Sequence, residues 1–394
     1  MRRPFEIDPR VRAVLPTMDA PFFQAGLAGY SDAAMRIIAR RHGAPYCITE
    51  ALLDRILLAG GKGLAKADLD VLADNVPASA EDHPLAGQII GTEPDEMAAA
   101  GALLAGMGYE VIDVNLACPV RKIARKCRGG HFLAHPDDAI EVLKAVRDAV
   151  PHHIPTTVKL RRGSDDSNEA ADNFERIFMA LYDLGYSWAT VHGRTVEQKY
   201  DGPSRWAFLR DLTARHPDKL IFGSGDIWTA ADIFRMIEET GVQAVSVARG
   251  CIGNPWIFRQ AREILEKASR QQGIEASRER QGASRPQGIE ATKAPALPCR
   301  GGGLLDTSTL DCLDASPTPP TIDEQREVLL EHFSLSVALH GENVAGKLMR
   351  KFGIKFAAHH PQAEAVKSEF IKVHTTADWQ AVIERWYAAE VVAA

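Results

Sequence analysis

The chain has 394 residues, of which 45% are hydrophobic and 25% charged, and it carries a formal net charge of −6. That composition suits a globular protein with a substantial core, and the acidic balance excludes indiscriminate attraction to nucleic acid while leaving room for local basic patches. None of the six cysteines forms a C-x-x-C pair, no apolar segment follows the N-terminal charges, and no apolar run is long enough for a bilayer. The expected setting is therefore the cytoplasm, with reduced thiols, no metal centre and no membrane contact.

After an N-terminal extension (1–23), short β-like runs alternate with longer amphipathic stretches up to about residue 265. The first strand is "QAGLA" (24–28). Ser31-Asp32 then caps a helix "AAMRIIARRHG" that ends on Gly43. "PYCIT" (45–49) and "LAGQII" (85–90) follow, and Thr92 precedes a helix with a proline and acids in its first turn. The remaining strands are "VIDVN" (111–115), "TTVKL" (156–160), "WATVH" (188–192), "LIFGS" (220–224) and "AVSVA" (244–248), after which Asn254-Pro255 opens another helix. Eight strands alternating with helices predict an α/β fold, a TIM (β/α)8 barrel; a doubly wound sheet is the alternative.

Residues 266–322 are rich in Gly, Pro, Ser and Gln, and "QQGIEAS" partly repeats as "PQGIEAT". Such a stretch buries too little apolar surface to offset its ordering entropy, so a flexible low-complexity insertion is expected. From 323 to 394 helical periodicity returns, which predicts a C-terminal helical domain. There Lys347, Arg350, Lys351 and Lys355 recur at near-helical spacing, as an RNA-binding face or as an ordinary solvated one.

The active site of a TIM barrel lies at the C-terminal ends of its strands. In this chain those ends carry Gln88, Asn115 with Cys118 just beyond, Lys159 and Arg161, His192, Ser224-Gly225-Asp226, and Arg249-Gly250. Singly, each has an ordinary explanation: a buried amide, a snorkelling lysine, a core histidine, a glycine turn. Six consecutive units delivering such residues to one rim point to a shared ligand site. Glycine loops after strands seven and eight form a phosphate site in many barrels, and Gln88 and Lys159 suit a ring that has an amide-like edge and gains negative charge. FMN fits, as do other phosphorylated ligands.

The stretches "GLAGYSDAAMR", "LAGQIIG", "VIDVNLACPVRKIARKCRGG", "VKLRRG", "VHGRTVEQKYDG", "GSGDI" and "ARGCIGNPWIF" resemble, in order and spacing, those of the tRNA-dihydrouridine synthases, over roughly residues 24–262. The resemblance implies an FMN-dependent barrel with a tRNA-binding helical domain. Such an enzyme reduces the C5–C6 double bond of particular tRNA uridines, with NADPH recharging the flavin. Carried over by position, it implies flavin contacts at Ala25, Gly26, Leu27, Gln88, Lys159, His192, Ser224, Gly225, Asp226, Ala248 and Arg249. Cys118 falls on the catalytic cysteine, and Asn115 and Arg161 fall on positions facing the uracil. Ala117, Ser224, Ala248 and "GLAG" depart from the usual glycine, asparagine, glycine and proline-methionine.

Hydride addition to uracil C6 leaves enolate-like charge reaching C5, which then needs a proton. A cysteine of ordinary pKa, about 8.5, is mostly the thiol a donor requires, and Pro119 biases Cys118 toward an extended loop. Cationic neighbours would favour thiolate. Arg121, Lys122, Arg125 and their basic neighbours are therefore expected to point away from the sulfur and hold tRNA phosphates, at a salt-sensitive affinity. Two competing readings are a flavin barrel acting on a small substrate, like dihydroorotate dehydrogenase, and an RNA-binding protein without catalysis. A monomer is favoured.

Overall fold

A computed structural model describes residues 5–60, 79–119, 129–282 and 318–388. Eight parallel strands close a barrel in sequence order: β1 (Phe22–Gln24), β2 (Cys47–Leu53), β3 (Leu85–Ile90), β4 (Val111–Leu116), β5 (Thr156–Arg161), β6 (Trp188–His192), β7 (Ile221–Ser224) and β8 (Ala244–Val247), with β8 pairing back onto β1. Eight strands alternate with helices as predicted, so the doubly wound alternative falls away, but the first lies at Phe22–Gln24, ahead of the expected 24–28 and largely within the expected N-terminal extension.

Period-two alternation sorts the side chains. In β4, Ile112, Val114 and Leu116 pack outward against the surrounding helices, whereas Val111 joins an interior cluster at the N-terminal end of the barrel. That cluster holds Phe23, Tyr46, Ile48, Ala86, Trp188, Phe222 and Ala244, closed from below by Val11, Leu15 and Met18. The N-terminal segment is thus the floor of the barrel rather than an extension outside it. Its helix Pro9–Val14 is capped by the Asp8 carboxylate, which accepts from Arg10 N at 2.8 Å. Higher up, the inward positions turn polar. Asp113, Thr157, Thr190 and Ser246 form a buried middle layer below the rim.

Asp32 caps the helix Ala33–Arg41 at Met35 N, as expected, while Ser31 Oγ turns back to accept from Leu27 N at 2.8 Å. The helix beginning at Trp256 continues to Gly282, past the expected boundary at 265. The Ala, Glu, Gln and Arg of 266–282 are good helix formers and extend a helix already nucleated by the barrel, which corrects the expectation of a flexible segment there. The expected insertion at 283–317 lies outside the described residues.

The C-terminal helices Ile322–His340, Glu342–Phe356, Ala363–Ile371 and Thr376–Trp386 pack onto the barrel. Arg259 pairs with Glu324 at 2.6 Å, Arg41 with Glu331, and His340 with Asp32 at 3.2 Å. Trp256, from the barrel side, meets the rings of Phe356 and His359 edge-on.

Candidate active site

The rim residues are joined through side chains rooted one layer below. Asp113, fully buried, accepts from Thr157 Oγ1 at 2.5 Å and from Gln88 Nε2 at 2.7 Å. Gln88 Oε1 accepts from Asn115 Nδ2 at 2.7 Å, so one chain of hydrogen bonds fixes both amides. Burial pushes the Asp113 carboxyl up, against those two donors and the charge of Lys159. Asp113 was not among the expected site residues. It sits two positions before Asn115 and therefore on the same inward face, a signal the sequence carries.

Over Gln88 runs the segment Ala25–Leu27. Ala25 N donates to Val247 O at 2.9 Å, and a Cβ on Gly26 would lie 2.3 Å from Thr49 O and 3.3 Å from Gln88 Oε1. Only glycine fits there.

Asn115 also organises the loop after β4. Its Oδ1 accepts from both Ala117 N and Cys118 N at 3.0 Å, an Asx-type turn that places Cys118 two residues beyond the strand, partly exposed at the rim. Gly130 N donates to Cys118 O at 3.0 Å, and Gly129 (φ +61°) passes so close that a Cβ there would sit 2.9 Å from Cys118 Cβ. The Gly129-Gly130 pair that ends the basic stretch thus clamps the cysteine loop. Arg121, Lys122 and Arg125 lie outside the described residues.

Arg161 is buried, at 3% exposure, and bonds the backbone of two loops. Its Nε donates to Ala117 O at 2.8 Å, and one terminal nitrogen donates to Thr195 O and Lys199 O at 2.8 and 2.7 Å. These bonds fasten the cysteine loop to the loop after β6. Burial pushes the guanidinium down to about 10, still charged at neutral pH.

Lys159 Nζ lies 3.3 Å from Ser224 Oγ, and burial pushes the amine down to about 8, partly countered by Asp113. His192 Nδ1 accepts from Arg194 N at 3.1 Å, so its proton sits on Nε2. Burial, with Arg161 and Lys159 nearby, holds it well below the usual histidine range and therefore neutral. Asp226, with φ +58°, places its carboxylate between Arg194 (2.7 and 2.8 Å), Arg249 (3.3 Å) and Ser204 N (2.7 Å). Its side chain therefore braces two arginines and a loop. Gly225 (φ +116°) has Ser204 Oγ 2.3 Å from where a Cβ would stand, and Gly250 has Ile227 O at 2.1 Å, so the turns after β7 and β8 interlock without side chains. Ala248 leads into the short turn Arg249–Cys251.

Of the C-terminal bases, all four lie on the helix Glu342–Phe356, but they do not form one solvated face. Lys351 bonds the Gly29 carbonyl and lies 4.9 Å over the Tyr30 ring, and Lys355 packs against Gly253. Helical spacing cannot tell an outward face from one docked on the barrel.

The model of the family described as dihydrouridine synthase (Dus) matches residues 23–287. A probable tRNA-dihydrouridine synthase of Treponema pallidum (strain Nichols) is 36% identical over 62% of this chain and 70% of its own length. The tRNA-dihydrouridine synthase B of Xanthomonas campestris pv. campestris is 27% identical over 92% of this chain and 87% of its own. Among solved structures, histamine dehydrogenase from Rhizobium sp. 4-9 aligns with a TM-score of 0.47 at 12% identity, over 62% of this chain and 46% of that one; the chain spans about half the length of such structures. Among the described residues no helix is long and apolar enough to cross a membrane, and no cluster of His, Cys, Asp and Glu could hold a metal ion. With the family model spanning most of the barrel and the Cys118 loop set at its rim, the chain belongs to the dihydrouridine synthase family, oxidoreductases that act on uridines of tRNA.

Proposed function

We infer that the barrel mouth binds FMN and one extruded uridine of a tRNA, and that Cys118 delivers the proton that completes reduction of the C5–C6 bond. FMN, recharged by NADPH, would supply the hydride accepted at uracil C6. Three observations support the fit of this cofactor. His192 is held neutral chiefly by burial and then by Arg161, Lys159, Arg194 and Arg249, and these four cations around one buried imidazole suit an anionic ligand. The glycine turns at 225 and 250 interlock tightly and so fix the backbone of the two loops that carry a phosphate site in many such barrels. Thr190 Oγ1 and Ser246 Oγ face the interior below the rim with no protein partner.

The chain's own residues divide the remaining work. Asn115 holds Cys118 through two backbone N–H groups, so the thiol is positioned before substrate arrives. Arg161 fixes the same loop from the other side through Ala117 O. Asp113 aligns the Gln88 amide and keeps Lys159 cationic over more of the pH range, which places a positive charge beside a ring that becomes anionic. Extruding a base costs a few kcal/mol. The 121–128 bases and Lys347 supply phosphate contacts that offset it. The protein acts in the cytoplasm as a monomer.

The observation that carries this reading is the placement of Cys118 beside the Gln88–Asn115 amide chain at the rim of a family-matched barrel. The test is direct. Purified protein is expected to carry FMN that NADPH bleaches, and tRNA from cells lacking the protein should miss specific dihydrouridines. A colourless protein, or an unchanged dihydrouridine map, contradicts it.

A further inference from the structure

Six large apolar side chains stand exposed among the described residues, and two of them are aromatic: Tyr200 at 52% and Trp228 at 50%. These two meet at one guanidinium. The Cζ of Arg249 lies 4.8 Å from the centroid of each ring. Tyr200 also lies 5.5 Å from Cζ of Arg161, whose Nε holds the carbonyl next to Cys118. Guanidinium and ring therefore alternate from the cysteine loop outward: Arg161, Tyr200, Arg249, Trp228.

The backbone at the outer end of this series is fixed in place. Trp228 N donates to Asp232 Oδ2 at 3.0 Å, and Gly250 packs so closely that a Cβ there would lie 3.1 Å from Trp228 Cα. Arg249 is braced by Asp226 at 3.3 Å. An indole on a fixed backbone, half in water and faced on one side by a guanidinium, suits a planar, electron-rich partner beside a phosphate. A nucleobase has that chemistry, and stacking on aromatic or guanidinium planes tolerates any base.

We propose that Trp228, with Tyr200 and Arg249, forms a stacking platform for the RNA base adjoining the uridine that enters the barrel mouth. The proposal rests on the reading of this mouth as the uridine-reducing site. The platform holds the neighbour in place while the uridine is turned out, and so acts on substrate affinity rather than on the chemical step.

The probe is tRNA isolated from cells lacking dihydrouridine synthases. Trp228→Ala is expected to raise KM for it about 5- to 100-fold, with Trp228→Phe restoring most of the loss. The flavin content of the purified variants should equal that of wild type. A synthetic tRNA with an abasic residue next to the modified uridine should weaken wild type by a similar factor and weaken Trp228→Ala no further. An unchanged KM in Trp228→Ala, or losses that multiply with an abasic site on either side, overturns the platform. Should Trp228→Ala fail to fold, the abasic arm on wild type decides alone, and no loss at either neighbour overturns it. A wild-type protein that reduces no uridine overturns the reading beneath it as well.

Discussion

Replacing Arg161 with alanine separates two roles that its position at the rim would otherwise confuse. In the structure its guanidinium donates to three carbonyls, of Ala117, Thr195 and Lys199, at 2.7 to 2.8 Å. Arg161→Ala leaves these buried acceptors without their donor. Each such loss costs about 1–3 kcal/mol when water cannot replace the donor, and the rim admits some water, so about 2–4 kcal/mol of local stability should go. That corresponds to an increase of about 30- to 900-fold in opening of the cysteine loop. Arg161→Lys should recover little, because an ammonium is a single point donor and cannot span three acceptors set by a planar fork. The assay is hydrogen exchange, followed by mass spectrometry, on peptides covering the Cys118 and Gly130 amides in protein without tRNA. A residue that only contacted uracil would leave exchange in these peptides unchanged and raise KM alone. That result would refute the fastening argument.

Three further outcomes follow from the same geometry. Asp113→Asn replaces one of the two carboxyl oxygens that hold Gln88 and Thr157, and flavin affinity should fall about tenfold, read as the FMN dissociation constant; unchanged affinity would remove Asp113 from the site. Lys159 is protonated below about pH 8 in the free protein, and an anion binds the protonated form. FMN affinity should therefore be flat from about pH 7, where the phosphate is fully ionised, up to that pH and fall up to tenfold per unit above it, with the slope abolished in Lys159→Met; a slope that survives the substitution points to another group. Gly225→Ala would place a methyl 2.3 Å from Ser204 Oγ at φ +116°, so the variant should purify with little flavin while Gly106→Ala, in open space, keeps it.

The architecture was legible because each strand carries a local apolar run and six of the eight ends a chemically odd residue, and closure into a barrel then brings those ends together. Legibility failed where a contact joins distant segments. Nothing local marks Arg161 as a fastener, since its three acceptors are backbone carbonyls of two other loops. Nothing local marks the bracing by Asp226 either, since its partners Arg194 and Ser204 N lie 32 and 22 residues away in sequence. The floor formed by Val11, Leu15 and Met18 was likewise hidden, because an amphipathic segment does not announce which end of a barrel it will close. Asp113 is the exception: the period of two through Asn115 puts it on the inward face, so its place in the site is legible from the strand alone.

The account stands on the thiol of Cys118 as the proton source at uracil C5. Single-turnover reaction of the reduced flavoprotein with unmodified tRNA tests it most directly. Cys118→Ala should retain its flavin and its bleaching by NADPH, yet form dihydrouridine at least about a hundredfold more slowly than wild type. Dihydrouridine appearing in that variant at the wild-type rate would contradict the account.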